Sequence, residues 1–139
     1  MSFLRVVLIF VLTAVAALKI VAQPERITAA VEAADWQTAR AEINKLRSSN
    51  ETLFRDKNYD YLLGRIAERT GDLATATASY QTIATNNSRL REYALWRLAK
   101  FARATGDLVL EREHLQQLIA TAPSSLLFEA ATLRLSESF

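Results

Sequence analysis

Apolar residues recur at three- and four-residue spacing through the second half of the chain. Leu62, Leu63, Ile66 and Ala67 form one stripe, and Leu95, Leu98, Ala99 and Ala102 form another. That spacing puts side chains on one face of an α-helix. Each stripe stops shortly before a Gly-Asp pair, Gly71-Asp72 or Gly106-Asp107. Glycine takes the left-handed backbone that ends a helix without a Cβ penalty. The aspartate after it accepts the unpaired amides of the next helix. The pattern therefore predicts second helices over Leu73–Thr85 and Leu108–Thr121, with Ala76, Tyr80, Ile83 and Leu115, Leu118, Ile119 facing inward. Asn86-Asn87-Ser88 and Ala122-Pro123-Ser124 break them, and Ser124 or Ser125 is placed to cap a further helix carrying Leu126, Leu127, Ala130, Ala131, Leu133 and Leu135.

These helices repeat. Tyr61–Leu73 aligns without gaps on Trp96–Leu108, an offset of 35 residues, and Thr-Gly-Asp-Leu recurs identically. A fainter copy lies upstream at Ala34-Asp35-Trp36, where Asp35 precedes Asp72 by 37 residues. At the 35-residue offset Leu133 corresponds to Leu98, which makes the last segment the first helix of a fourth unit. A two-residue turn forces paired helices antiparallel, and a repeat of such pairs stacks into an α-solenoid. The expected fold is all-α, about three and a half units over residues 23–139.

The N-terminus carries a different signal. Met1 to Arg5 is a short cationic start, Val6 to Leu18 is a 13-residue run without charge, and Lys19-Ile20-Val21-Ala22 leads into polar Gln23-Pro24-Glu25-Arg26. This arrangement reads as an export signal cut after Ala22, leaving Gln23 as the mature N-terminus. The alternative is an uncleaved anchor in the inner membrane over residues 6–22, although Lys19 interrupts a stretch already short for a span of about 20 residues. Either reading places the remainder outside the cytoplasm, periplasmic or secreted.

Charge adds little beyond this. Two of the 17 basic residues, Arg5 and Lys19, lie in the acid-free first 22, leaving 15 of each sign from Gln23 onward. A neutral remainder with no basic arm argues against nucleic acid as a partner. With no cysteine and one histidine, His114, the chain lacks a disulfide framework, a thiolate nucleophile and a multi-histidine metal site. No cofactor motif is present. His114, between Glu113 and Leu115, reads as a packing residue. Asn50-Glu51-Thr52 and Asn86-Asn87-Ser88 fit the glycosylation acceptor pattern and are expected in inter-helix loops.

The units resemble the tetratricopeptide repeat family. Leu63-Gly64 and Leu98-Ala99 match its small pair, Gly71-Asp72 and Gly106-Asp107 its turn, Ala76 its second-helix alanine, Tyr80 its aromatic and Pro123 its closing proline. Glu111 stands in place of the alanine, Leu115 of the aromatic and Ser88 of the proline. The resemblance implies a right-handed solenoid whose first helices line a concave face. The runs from Tyr61 to Asp72 and from Tyr93 to Ala99 also resemble the N-terminal superhelical region of soluble lytic transglycosylases. That family cleaves peptidoglycan with a lysozyme-like domain. Ser136-Glu137-Ser138-Phe139 approaches its Glu-Ser-x-Phe hallmark but lacks the spacer residue, and no second carboxylate is placed for glycoside chemistry. The expected role is therefore a non-catalytic scaffold, either a module of such an enzyme or a free-standing envelope adaptor. The last helix, apolar on more than one side, suggests a piece of a longer protein. At the repeat offset Tyr61 aligns with Trp96, Arg65 with Lys100 and Glu68 with Arg103, with Arg69 alongside. Tyr61, Arg65, Arg69, Trp96, Lys100 and Arg103 thus form a candidate face for a protein or peptide partner, peptidoglycan being reached through a further domain.

Overall fold

The structure, a computed structural model, describes residues 23–86 and 88–139. The export or anchor segment over residues 1–22 lies outside the described residues, as does Asn87 of the second acceptor pattern. The described chain is all-helical, and no helix in it is long and apolar enough to cross a membrane. Eight helices follow one another: α1 (23–32), α2 (Trp36–Ser49), α3 (Glu51–Asp56), α4 (Tyr59–Arg69), α5 (Leu73–Thr85), α6 (Arg91–Ala104), α7 (Leu108–Thr121) and α8 (Phe128–Ser136). They fall into two compact units, residues up to Asp56 and from Lys57 onward.

In the first unit α1 turns back on α2. The Ser49 hydroxyl donates to Gln23 Oε1 at 3.2 Å, joining the far ends of the pair. Ile27, Ala30, Ala39, Ile43, Leu46 and Phe54 are its buried apolar residues. Asn50 separates α2 from α3 and its Oδ1 accepts the Leu53 amide at 3.0 Å. Glu51 and Thr52 of the first acceptor pattern are therefore helical, not in a loop.

In the second unit each helix packs on the next, from α4 through α8. One apolar core, built around Ala67, Tyr80, Ile83, Leu95, Leu98, Leu115 and Leu118, runs through all five. Gly64 lies close against it, and a Cβ there would meet the Tyr80 ring at 2.8 Å. The small residue lets a buried aromatic lie directly on the α4 backbone.

Three turns share one geometry. The amides of Asp35, Asp72 and Asp107 donate to the carbonyls of Ala30, Ala67 and Ala102 at 2.8, 2.9 and 2.9 Å. The preceding amides of Ala34, Gly71 and Gly106 donate to Val31, Glu68 and Arg103 at 3.1, 3.3 and 3.0 Å. This paired closure satisfies the last carbonyls of a helix and needs a left-handed residue at its centre. That residue has φ of 54° at Ala34, 78° at Gly71 and 79° at Gly106. Each aspartate then caps the next helix, its carboxylate accepting from Thr38, Thr75 or Leu110. The second helices begin and end where the sequence pattern puts them, at Leu73–Thr85 and Leu108–Thr121.

One register expectation is corrected. Ser88 Oγ accepts the Leu90 amide at 3.1 Å and Ser125 Oγ accepts the Leu127 amide at 3.0 Å, so these entries into α6 and α8 are 37 residues apart, not 35. Ala94 and Ala131, both fully buried, are counterparts at that separation. Leu98 is 3% exposed but Leu133 is 63% exposed, because Leu133 corresponds to Trp96 and Leu135 takes the place of Leu98. The cause is one extra residue at the end of α7 and one in the connection after it, which together move α8 along by about half a turn and change the face each residue presents. Neither Ser124 nor Ser125 is the helix cap; the cap position is Leu127, with no side-chain bond.

Candidate interaction face

The six residues of the expected face lie on the first helices of two pairs, Tyr61, Arg65 and Arg69 on α4 and Trp96, Lys100 and Arg103 on α6. Their environments differ. Tyr61 is half-buried and its ring packs on Tyr80 at 5.6 Å between centroids, and Tyr80 packs in turn on Phe101 at 5.9 Å. Trp96 is half-buried, with the Arg134 guanidinium 5.4 Å over its ring. Both aromatics therefore double as packing residues. Lys100 and Arg69 are exposed, Arg69 in the last turn of α4.

The arginines are largely answered within the chain. Glu68 accepts the Tyr80 hydroxyl at 2.9 Å on one oxygen and Arg97 Nη1 at 3.0 Å on the other. Arg65 Nε lies 3.7 Å from the same carboxylate. Glu68 thus meets Arg97 across the α4–α6 interval, whereas its repeat counterpart Arg103 turns away toward α7 and α8. Burial raises the Tyr80 hydroxyl well above its ordinary range, and the adjacent Glu68 carboxylate adds to the shift.

The second cluster centres on Glu111. It occupies the fourth position after the capping aspartate, where the other two turns carry Ala39 and Ala76, and all three residues are fully buried. Glu111 Oε1 accepts Arg134 Nε at 2.7 Å and Arg103 Nη1 at 3.5 Å. Its Oε2 is buried without a hydrogen-bond partner. Arg103 also lies 3.9 Å from Glu137, which follows α8 as its cap residue. A buried carboxylate is tolerated where cations and hydrogen bonds answer it, and here Arg134 is the main answer.

The sequence pattern brought Trp96, Arg103 and Glu68 into view but not their respective partners Arg134, Glu111 and Arg97. Glu111 did leave a trace, as the one charged residue in an alanine position. Arg97 and Arg134 left none, since an arginine on a helix gives no sign of which neighbour it will reach. Among the described residues, no group of three or more His, Asp or Glu side chains is placed to hold a metal ion. His114 on α7 is half-buried with Nδ1 unpartnered; burial lowers its pKa, opposed by the charges of Glu113 and Asp107.

Comparison with protein-family models, with curated proteins and with solved structures finds no match to this chain.

Proposed function

We propose that residues 23–139 act as a non-catalytic helical-repeat scaffold, a tetratricopeptide-like solenoid working outside the cytoplasm, that holds a protein or peptide partner on its first-helix face. The observation that carries this reading is the turn that recurs at Ala34-Asp35, Gly71-Asp72 and Gly106-Asp107 with the same two backbone bonds and the same aspartate cap. Repetition of a closed helix-turn-helix unit is the physical basis of a stacked array, and stacked arrays bind along their faces. The further likeness to the N-terminal region of soluble lytic transglycosylases makes a cell-wall setting the favoured one.

The test is affinity capture from an envelope extract with the full chain as bait. The wild-type chain recovers a partner that Trp96→Ala with Lys100→Ala does not, while both retain the same helical circular dichroism. Equal recovery by the two baits means that the first-helix face is packing surface only. Muropeptide release by the purified chain would overturn the non-catalytic part.

A further inference from the structure

The attachment of α8 differs in kind from the other helix contacts in the second unit. α6 buries Ala94, Leu95, Leu98, Ala99 and Ala102 completely or nearly so, whereas α8 buries Ala131 in that way, with Leu127 and Leu135 partly covered. Phe128 is half-buried, and the rest of the hold on α8 is polar. Arg134 reaches Glu111, Glu137 reaches Arg103, and Arg112 Nη1 donates to the Ser138 carbonyl at 2.8 Å. With α8 in place Glu111 is fully buried, and the attraction of Arg134 does little more than offset the desolvation of that charge. Glu111 Oε2 is buried without a partner, which adds to the cost of the arrangement. The helix is thus held by a match of charges over a small apolar contact.

The same match is selective. A helix lacking an arginine at the Arg134 position would bury a bare carboxylate, which is costly. The positions equivalent to Glu111 in the other turns, Ala39 and Ala76, impose no such demand. α8 also engages two residues of the face assigned to the partner, since Arg134 lies over Trp96 and Glu137 beside Arg103.

We propose that α8 is the exchangeable resident of a helix-binding surface formed by α6 and α7, which accepts from a second chain an amphipathic helix with the spacing of Ala131, Arg134 and Glu137: a small residue, an arginine three positions on and a glutamate three beyond that. This rests on the reading of the α6 face as a partner surface and names both its ligand class and its regulation: a partner reaching Trp96 and Arg103 first displaces α8.

The experiment titrates a fluorescent peptide of residues 126–139 against the full chain. Arg134→Ala in the chain weakens the resident helix, so this variant binds the wild-type peptide about tenfold tighter than the wild-type chain does, in line with the larger fraction of open surface. A peptide carrying Arg134→Ala binds that same chain at least about tenfold more weakly. Replacing Glu111 with alanine as well removes the discrimination between the two peptides. Equal affinity of wild-type and Arg134→Ala chains for the wild-type peptide overturns the proposal, as does equal affinity of the Arg134→Ala chain for both peptides. Hydrogen exchange of the unaltered chain is a second measure that needs no variant. Amides of α8 exchanging roughly tenfold or more faster than the buried amides of α6 support exchangeability, and exchange at one common rate overturns it. Peptide binding without capture of any envelope protein leaves this inference standing and removes the proposed function alone.

Discussion

Tyr80 gives its hydroxyl hydrogen to Glu68 at 2.9 Å, and the other oxygen of that carboxylate takes Arg97 at 3.0 Å. Three successive helices, α5, α4 and α6, meet at one acid. The next three, α6, α7 and α8, also meet at one acid, but it has moved. Thirty-five residues on, Glu68 becomes Arg103 and Tyr80 becomes Leu115, while Ala76 becomes Glu111. The charge reversal on the first helix is matched by a new carboxylate on the second. Two of the departures from the repeat pattern, Glu111 and Leu115, thus belong to one coupled change.

Removing Arg134 and removing Glu111 have unequal effects. Arg134→Ala strands a buried charge and destabilises the second unit by about 2–4 kcal/mol, less what water recovers on α8 release. Glu111→Ala restores the residue type found at the other two turns and leaves two arginines with access to solvent, so its effect stays within about 1 kcal/mol. Urea unfolding of the two variants and the double variant measures this, the double being closer to wild type than Arg134→Ala. Equal losses for the two single variants would sink the account.

The left-handed centre of each turn gives opposite outcomes for opposite substitutions. A Cβ at Gly106 meets nothing within 4 Å, so the cost of Gly106→Ala is conformational, about 1 kcal/mol. Ala34 already bears that strain at φ 54°, and Ala34→Gly is expected to stabilise the first unit by about 0.5–1 kcal/mol. Thermal unfolding of both is the measurement. A destabilised Ala34→Gly chain would contradict the assignment.

Gly64→Ala is a packing probe. Its Cβ would lie 2.8 Å from Tyr80 Cε1, and that ring is fully buried with its hydroxyl tied to Glu68. The ring cannot swing away without breaking that bond, so the expected loss is about 1–3 kcal/mol. Pairing the change with Tyr80→Leu, the residue found at the equivalent position 115, recovers part of it. If Gly64→Ala alone unfolds at the wild-type urea concentration, the close approach is not rigid.

His114 supplies an acid-side effect. Its folded pKa lies below the ordinary 6.5, since burial disfavours the imidazolium. The unfolded chain therefore takes up a proton first as pH falls. The contribution of this residue to stability is present above about pH 6.5 and is lost as pH drops through that value toward the folded pKa. In urea melts between about pH 7.5 and 5, His114→Gln shows a shallower loss than wild type. Parallel curves would show that the imidazole is solvated in the folded chain.

The bounds of α5 and α7 could be read because they are written locally. Glycine and aspartate fix a turn by their own chemistry, and the spacing of Leu95, Leu98 and Ala102 fixes a face. The break at Asn50 was legible in the acceptor tripeptide read as an inter-helix loop, but the short α3 that follows at once was not, since no glycine or proline marks its bounds. The register of α8 failed for a related reason. A long connection leaves no residue-type signal of its length, so counting 35 from Leu98 gave the exposed Leu133 in place of Leu135. Of the candidate site, the exposed Arg69 and Lys100 were legible as surface. The engagement of Arg65, Trp96 and Arg103 was not, because it depends on which turn of which neighbour faces them.

The turn within each helix pair keeps its two backbone bonds and its capping aspartate, whereas the connections between pairs differ in length. Residues 122–127 already carry one more position than residues 86–90, α7 is one residue longer than α5, and the fold absorbs both. Extra sequence is therefore accommodated between pairs and rejected within them. A reporter or affinity tag spliced after Pro123 will leave the packing of α6 on α7 undisturbed, and a tag spliced between Gly106 and Asp107 will not.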